Sequence, residues 1–93
     1  MTRRVFFELV RAGHHDVFID NVKVGELLNE YEPALASPGD VGHRPGYQEW
    51  RFYADAGVRN WEIADWINSD SRDNHFLKDA KQHVREGFNR EYV

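Results

Sequence analysis

The feature that most constrains this chain is a run of apolar residues near its C-terminus, spaced three and four apart as on one face of a helix. On a wheel of about 100° per residue they share an arc of about 120°. These residues are Phe76, Leu77, Ala80, Val84 and Phe88. We predict an amphipathic helix from Asn74 to Glu86, ended by Gly87. Such a helix must bury its apolar face, so the rest of the chain has to supply a second layer.

Alternating apolar residues earlier in the chain predict that this layer is an antiparallel sheet. We predict strands at residues 4–12, 17–19, 22–24 and 47–55. Asp20 and Asn21 tolerate the left-handed conformations of a two-residue hairpin turn. Gly25 is a candidate β-bulge. After it, residues 26–31 either continue the third strand or form a short helix.

Residues 59–67 fit two patterns. As a strand they place Trp61 and Ile63 on one face, and this is the interpretation that we favour. As a helix they would group Ile63, Trp66 and Ile67 at a period of 3.6 residues. The predicted fold class is α+β, with a three- to four-stranded antiparallel sheet and one C-terminal amphipathic helix packed on a face.

Length and composition predict a single small domain over residues 1–93. The chain is 41% hydrophobic and 14% aromatic, and disordered chains lack such bulky groups. Residues 32–46 contain three prolines and three glycines. We predict a long loop there, and loops of that length in compact domains are either functional or disordered.

Charge and cysteine content narrow the function classes. Sixteen acidic residues against twelve basic ones give a net charge of −4, which disfavours nucleic acid as the partner. The absence of cysteine removes disulfides and thiol nucleophiles, and it favours a reducing cytoplasm. Glu8 and Arg11 interrupt the apolar N-terminal run, so we expect neither a signal peptide nor a membrane partner.

The flanks of the C-terminal helix carry opposite chemistry. One flank is basic, and it provides the alternative function, nucleic-acid binding through Lys78, Lys81 and Arg85. The other flank holds His75, Asp79 and His83 at intervals of four. Its two histidines are about 12 Å apart along the axis, too far for one ion to reach all three side chains. We therefore predict no metal site there.

No catalytic constellation is visible, and we predict neither an enzyme nor a cofactor. The few serines and threonines stand without a nucleophile elbow, and the glycines do not form a phosphate-binding loop. His14, His15 and Asp16 cluster in a predicted turn. Adjacent histidines in extended chain point in opposite directions, so a joint site would need partners from elsewhere.

The aromatic residues exceed what a small core can bury. We place Trp50, Phe52, Trp61 and Phe76 in the core and expect several others at the surface or in an interface. The leading hypothesis is a non-enzymatic protein-interaction module whose partner is a host protein or a second copy. Its candidate binding residues are Tyr47, Tyr53 and Trp66, together with His43 and Arg44 of the loop.

Three segments carry a resemblance to known sequences. These are the strand–turn–strand of residues 17–25, the stretch Trp50-Arg51-Phe52-Tyr53-Ala54-Asp55-Ala56-Gly57, and Asp79-Ala80-Lys81 in the helix. Together they resemble small uncharacterised proteins of actinobacteria and their bacteriophages, over somewhat more than half of the chain. The resemblance implies a cytoplasmic accessory protein. For a phage product, it implies a protein that acts by binding a host protein.

Overall fold

The structure, a computed structural model, describes residues 3–32, 46–69 and 71–90. Along these residues the elements are β1 (Val5–Arg11), β2 (His14–Ile19), β3 (Val22–Glu32), β4 (Tyr47–Ala54), α1 (Val58–Ile67) and α2 (Leu77–Asn89). The predicted α+β class is confirmed, because α2 packs on an antiparallel sheet as expected. Residues 33–45 of the predicted loop lie outside the described residues. Neither α1 nor α2 has the length and apolar character that crossing a bilayer requires.

The sheet is an antiparallel meander with the strand order β1-β2-β3-β4. Asp20 and Asn21 have φ angles of 50° and 71°, so the predicted hairpin turn between β2 and β3 is confirmed. The bulge predicted at Gly25 is also confirmed, because Val24 is an extra residue between the Val17–Gly25 and Phe18–Lys23 pairs. A Cβ on Gly25 would collide with the carbonyl oxygen of Tyr53, so this position requires glycine.

The core lies between one face of the sheet and the two helices. Val17, Ile19 and Leu27 project from β2 and β3, and Phe52 projects from β4. The Phe52 ring meets Phe88 of α2 edge to face, with ring centroids 5.5 Å apart. Alternation along the strands therefore gives the sheet a buried face under the helices and an outer face, on which no described helix packs.

The strand favoured for residues 59–67 is wrong, and the helical alternative is confirmed. These residues form α1, which follows Gly57 at a φ of 95°. One side of this helix is buried, and it carries Ile63, Ala64 and Ile67. The helical period of 3.6 residues is therefore the pattern that this segment follows. Trp61, predicted to be in the core, is 54% exposed because the helix turns it away from that side.

The C-terminal helix is shifted relative to its prediction. It begins at Leu77 rather than Asn74, and it runs through Gly87 to Asn89. Gly87 is buried, and a Cβ there would lie 3.0 Å from Ile67 Cγ1, so this glycine serves helix–helix packing rather than helix termination. Phe76 precedes the helix and is exposed, whereas Phe88 fills the core instead.

The second and third strands are longer than predicted. β2 begins at His14, because the turn before it is confined to Ala12 and Gly13, whose φ is 81°. β3 continues to Glu32, so the short helix considered for residues 26–31 is wrong. Pairing with β4 over the full length of Gly25–Glu32 holds this segment extended.

Candidate functional site

The two edges of the sheet differ in how their backbone groups are satisfied. The free edge of β4 is covered by side-chain and backbone groups between α1 and α2. The Asn68 amide accepts from Phe52 N–H at 2.9 Å and donates to the Phe52 carbonyl at 2.8 Å. The Trp50 N–H donates to the Asn74 carbonyl at 2.9 Å. The chain thereby blocks strand addition at this edge.

Asn74 is the centre of this cover and is fully buried. Its Nδ2 donates to the Ile67 carbonyl at 2.9 Å, at the end of α1. Its Oδ1 lies 2.7 Å from Nδ1 of His83 on α2. Because an amide oxygen only accepts, His83 carries its proton on Nδ1. The side chain of Asn74 thus joins the two helices, and its backbone carbonyl joins them to the sheet at Trp50.

Along the free edge of β1, residues 3–32, 46–69 and 71–90 supply no hydrogen-bond partner beyond Arg3. Asp20 N–H donates to the Arg4 carbonyl at 3.2 Å, so the backbone of Arg4 faces β2. Alternation along an antiparallel strand then turns the backbone groups of Val5 and Phe7 outward. Asn89 pairs with the backbone of Arg3, and the open stretch therefore begins at Val5.

The side chains along this open edge are apolar and accessible. Phe6, Leu9 and Val10 are 58%, 64% and 49% exposed. Phe6 lies on the outer face beside Phe18, with ring centroids 6.3 Å apart. An open edge strand with exposed apolar side chains is a template for pairing with another chain.

Tyr47, Tyr53 and Trp66, the described residues among those predicted to bind protein, lie on β4 and α1 rather than on β1. The Tyr53 hydroxyl donates to Glu30 on the outer face, and this hydrogen bond, followed by burial, raises the pKa of Tyr53. Trp66 on α1 is half-buried between the guanidinium groups of Arg72 and Arg90, at 3.5 and 4.5 Å from its ring centroid.

Tyr47 meets His75 edge to face, with centroids 5.0 Å apart. His43 and Arg44 lie outside the described residues. A role for each of these side chains in binding stays a prediction.

The basic flank of α2 is drawn toward β1. Lys81 Nζ and the Arg85 guanidinium lie 5.4 and 5.1 Å from the centroid of the Phe7 ring, while Lys78 is exposed. Cation–π contacts hold the first two groups against the sheet. Nucleic-acid binding through these residues stays a prediction.

The two groups of histidines singled out in the sequence are not arranged as predicted. His83 is engaged by Asn74, and His75 lies beside Asp73 and the Gln48 carbonyl. On β2, His15 points into the core while His14 points to the outer face, as adjacent residues in extended chain do. Asp16 shares the outer face with His14, and Glu26 lies directly opposite Asp16 on β3. Glu26 is the partner from elsewhere that this cluster required.

We expect His15 to make the stability pH-dependent. Burial, followed by the charges of Lys81 and His14, lowers the pKa of His15 below 6.5. The unfolded chain then binds a proton at this histidine at a pH where the folded chain does not. The free energy of unfolding therefore falls as the pH drops below about 6.5. His15→Phe should show a smaller loss of unfolding free energy between about pH 7.5 and 5, measured by urea titration. His75→Phe, an exposed control, should keep the wild-type loss; an unchanged loss in His15→Phe contradicts the assignment.

Comparison with known proteins yields no relative. No protein-family model matches the chain, and no curated protein or solved structure is similar to it.

Proposed function

We propose that this protein is a non-enzymatic protein-interaction module and that the open edge of β1 is its contact surface. The supporting observation is the contrast between the two sheet edges. Asn68 and Asn74 cover β4, whereas no described residue pairs with β1 from Val5 onward, and exposed apolar side chains flank it. In β-strand addition, backbone hydrogen bonds supply affinity and alternate side chains supply specificity.

The partner is a second copy of this chain, because β1 is self-complementary. With the two strands antiparallel and a two-fold axis through Phe6, Arg4 lies opposite the partner's Glu8, and Phe6 lies opposite the partner's Phe6. Both pairs fall on the outer face, where all three side chains are exposed. Val5 and the partner's Phe7 exchange backbone hydrogen bonds in this register.

Other registers are less favourable. An axis through Glu8 places two carboxylates directly opposite each other, which is destabilising. An axis through Phe7 places Phe6 opposite the partner's Glu8 and leaves Arg4 opposite Val10, without an ion pair. The Phe6 register alone among these three forms two symmetric ion pairs, each contributing about 0.2 to 1 kcal/mol.

The dimer is of moderate strength, since two paired edge strands form a small interface. A weak self-interface suits an adaptor, because an extended segment of a host protein competes for the same edge. We place this activity in the cytoplasm, in keeping with the absence of cysteine.

Phe6→Lys should weaken self-association by at least about tenfold, because it places two ammonium groups opposite each other on the axis. Sedimentation velocity over a range of concentrations measures this loss. Trp61→Lys is the matched control, since Trp61 is 54% exposed against 58% for Phe6 and lies on α1. Equal weakening by both substitutions, or association unaffected by Phe6→Lys, contradicts the role of the β1 edge.

The proposal has two parts, the β1 edge as the contact surface and a second copy as the partner. If the wild-type protein is monomeric, affinity capture of a host protein tests the first part separately. Enrichment that is lost with Phe6→Lys and retained with Trp61→Lys supports the edge as a surface for another protein. Enrichment that both variants retain removes the edge from the proposed function.

A further inference from the structure

The outer face of the sheet carries a cluster of ionisable side chains that the proposed function does not use. His14 and Asp16 project from β2, and Glu26 projects from β3. One ligand atom from each of these residues lies within 4.8 Å of the other two. In the described part of the chain this is the one such group of three histidine or carboxylate side chains.

Two features of the cluster are unfavourable as the protein stands. Asp16 and Glu26 are directly opposite each other, and like charges in that position destabilise a sheet. Both ring nitrogens of His14 and Oδ1 of Asp16 are buried and make no hydrogen bond with the described residues, although His14 Nε2 and Lys23 Nζ lie at ion-pair distance from that oxygen. Buried polar atoms in folded proteins normally have a partner, so these atoms point to an occupant.

The spacing of the ligand atoms identifies the kind of occupant. His14 Nε2 lies 3.3 Å from Glu26 Oε1 and 3.5 Å from Asp16 Oδ1. Ligands at about 2.0 to 2.2 Å from a tetrahedral ion are separated by roughly 3.3 to 3.6 Å. We propose that His14, Asp16 and Glu26 form a binding site for a divalent transition-metal ion of the zinc type.

The donor set excludes the hard cations. Calcium takes six to eight oxygen ligands, and magnesium requires near-octahedral oxygen coordination. One imidazole and two carboxylates instead match zinc and its neighbours, which accept nitrogen and oxygen together. The pairing of β2 with β3 holds the three side chains in place, so the ion finds its ligands already assembled.

The ammonium group of Lys23 competes with the ion for the two carboxylates. Its Nζ lies 3.6 Å from Asp16 Oδ1 and 3.4 Å from Glu26 Oε1. Burial acts to lower the pKa of Lys23, but the hydrogen bond to Glu26 and the charges of Asp55 and Asp16 raise it overall. The ammonium therefore stays charged and offsets part of the repulsion between the two carboxylates when no ion is bound. A metal ion has to displace it.

Titration calorimetry with zinc chloride tests the site. Wild-type protein should bind one zinc ion, and Lys23→Met should bind it about five- to tenfold more tightly, since two partly exposed ion pairs no longer compete. His14→Ala and Glu26→Gln should each weaken binding by at least about tenfold. Calcium and magnesium should give no binding heat. His75→Ala, which removes an exposed histidine elsewhere, should leave the affinity unchanged.

Cobalt provides a second readout of the same ligands. Its visible absorption should be intense, as in tetrahedral coordination, and it should disappear in Glu26→Gln, whose fold is checked by circular dichroism. The proposal is overturned if neither wild type nor Lys23→Met binds zinc at about 1 mM. Zinc binding that survives both ligand substitutions overturns it as well. Glu8 of β1 lies directly opposite Asp16, so every variant in these titrations keeps the β1 sequence unchanged, and the titrations measure zinc binding rather than self-association.

Discussion

Replacing Asn74 with alanine should lower the free energy of unfolding by about 2 to 4 kcal/mol. The side chain is buried, and both of its polar atoms are engaged. Alanine would leave the Ile67 carbonyl and Nδ1 of His83 without their partner. The cost is large because groups that remain buried would lose a hydrogen bond and gain no water. Urea denaturation followed by tryptophan fluorescence measures the change.

Gln82→Ala is the matched control for this substitution. Gln82 also has a side-chain amide that makes a hydrogen bond, donated from Nε2 to Glu86 Oε1 at 3.0 Å, but this residue is exposed. Its replacement should cost about 0.2 to 0.5 kcal/mol. In addition, the effects of Asn74→Ala and His83→Ala should not add, because both remove the same bond. Equal losses for Asn74→Ala and Gln82→Ala would show that the Asn74 side chain is not the link between α1 and α2.

The fold class followed from sequence because two periodicities are strong in this chain. The spacing of Ala80, Val84 and Phe88 identified α2, and alternation around Trp50 and Phe52 identified β4. The favoured interpretation of residues 59–67 failed because this short segment fits both periods. Trp61 and Ile63 alternate as in a strand, whereas Ile63, Trp66 and Ile67 recur as on a helix. Burial of Ile67 against Gly87 stabilises the helix, and that contact joins residues twenty positions apart in sequence.

The functional surfaces were harder to predict because they depend on tertiary placement. Nothing in the residues around Asn68 and Asn74 indicates that they cover a sheet edge; that role arises where the segment between the helices passes β4. The openness of β1 likewise depends on its position at the end of the strand order. One signal was present, because His14 and Asp16 share a face in a strand. A strand beginning at His14, combined with the bulge predicted at Gly25, would have placed Glu26 opposite Asp16.

Reversing one charge on β1 should abolish self-association, and reversing both charges should restore it. Arg4→Glu places two glutamates opposite the partner's Glu8 residues, and Glu8→Arg places two arginines opposite the partner's Arg4 residues. Each single change replaces two attractive pairs by two repulsive ones, and we expect affinity to fall by roughly thirtyfold or more. The double variant restores opposite charges in both pairs. Arg11→Glu changes an exposed charge outside the paired stretch and should have little effect.

The central claim, that β1 pairs with a second copy through an axis at Phe6, is tested most directly by sedimentation velocity on these four variants and the wild type. The proposal predicts a concentration-dependent dimer for the wild type, for Arg11→Glu and for the double variant, and monomers for Arg4→Glu and Glu8→Arg at the same concentrations. A wild-type protein that stays monomeric at about 0.5 mM would contradict the claim. So would a double variant that associates no better than either single variant.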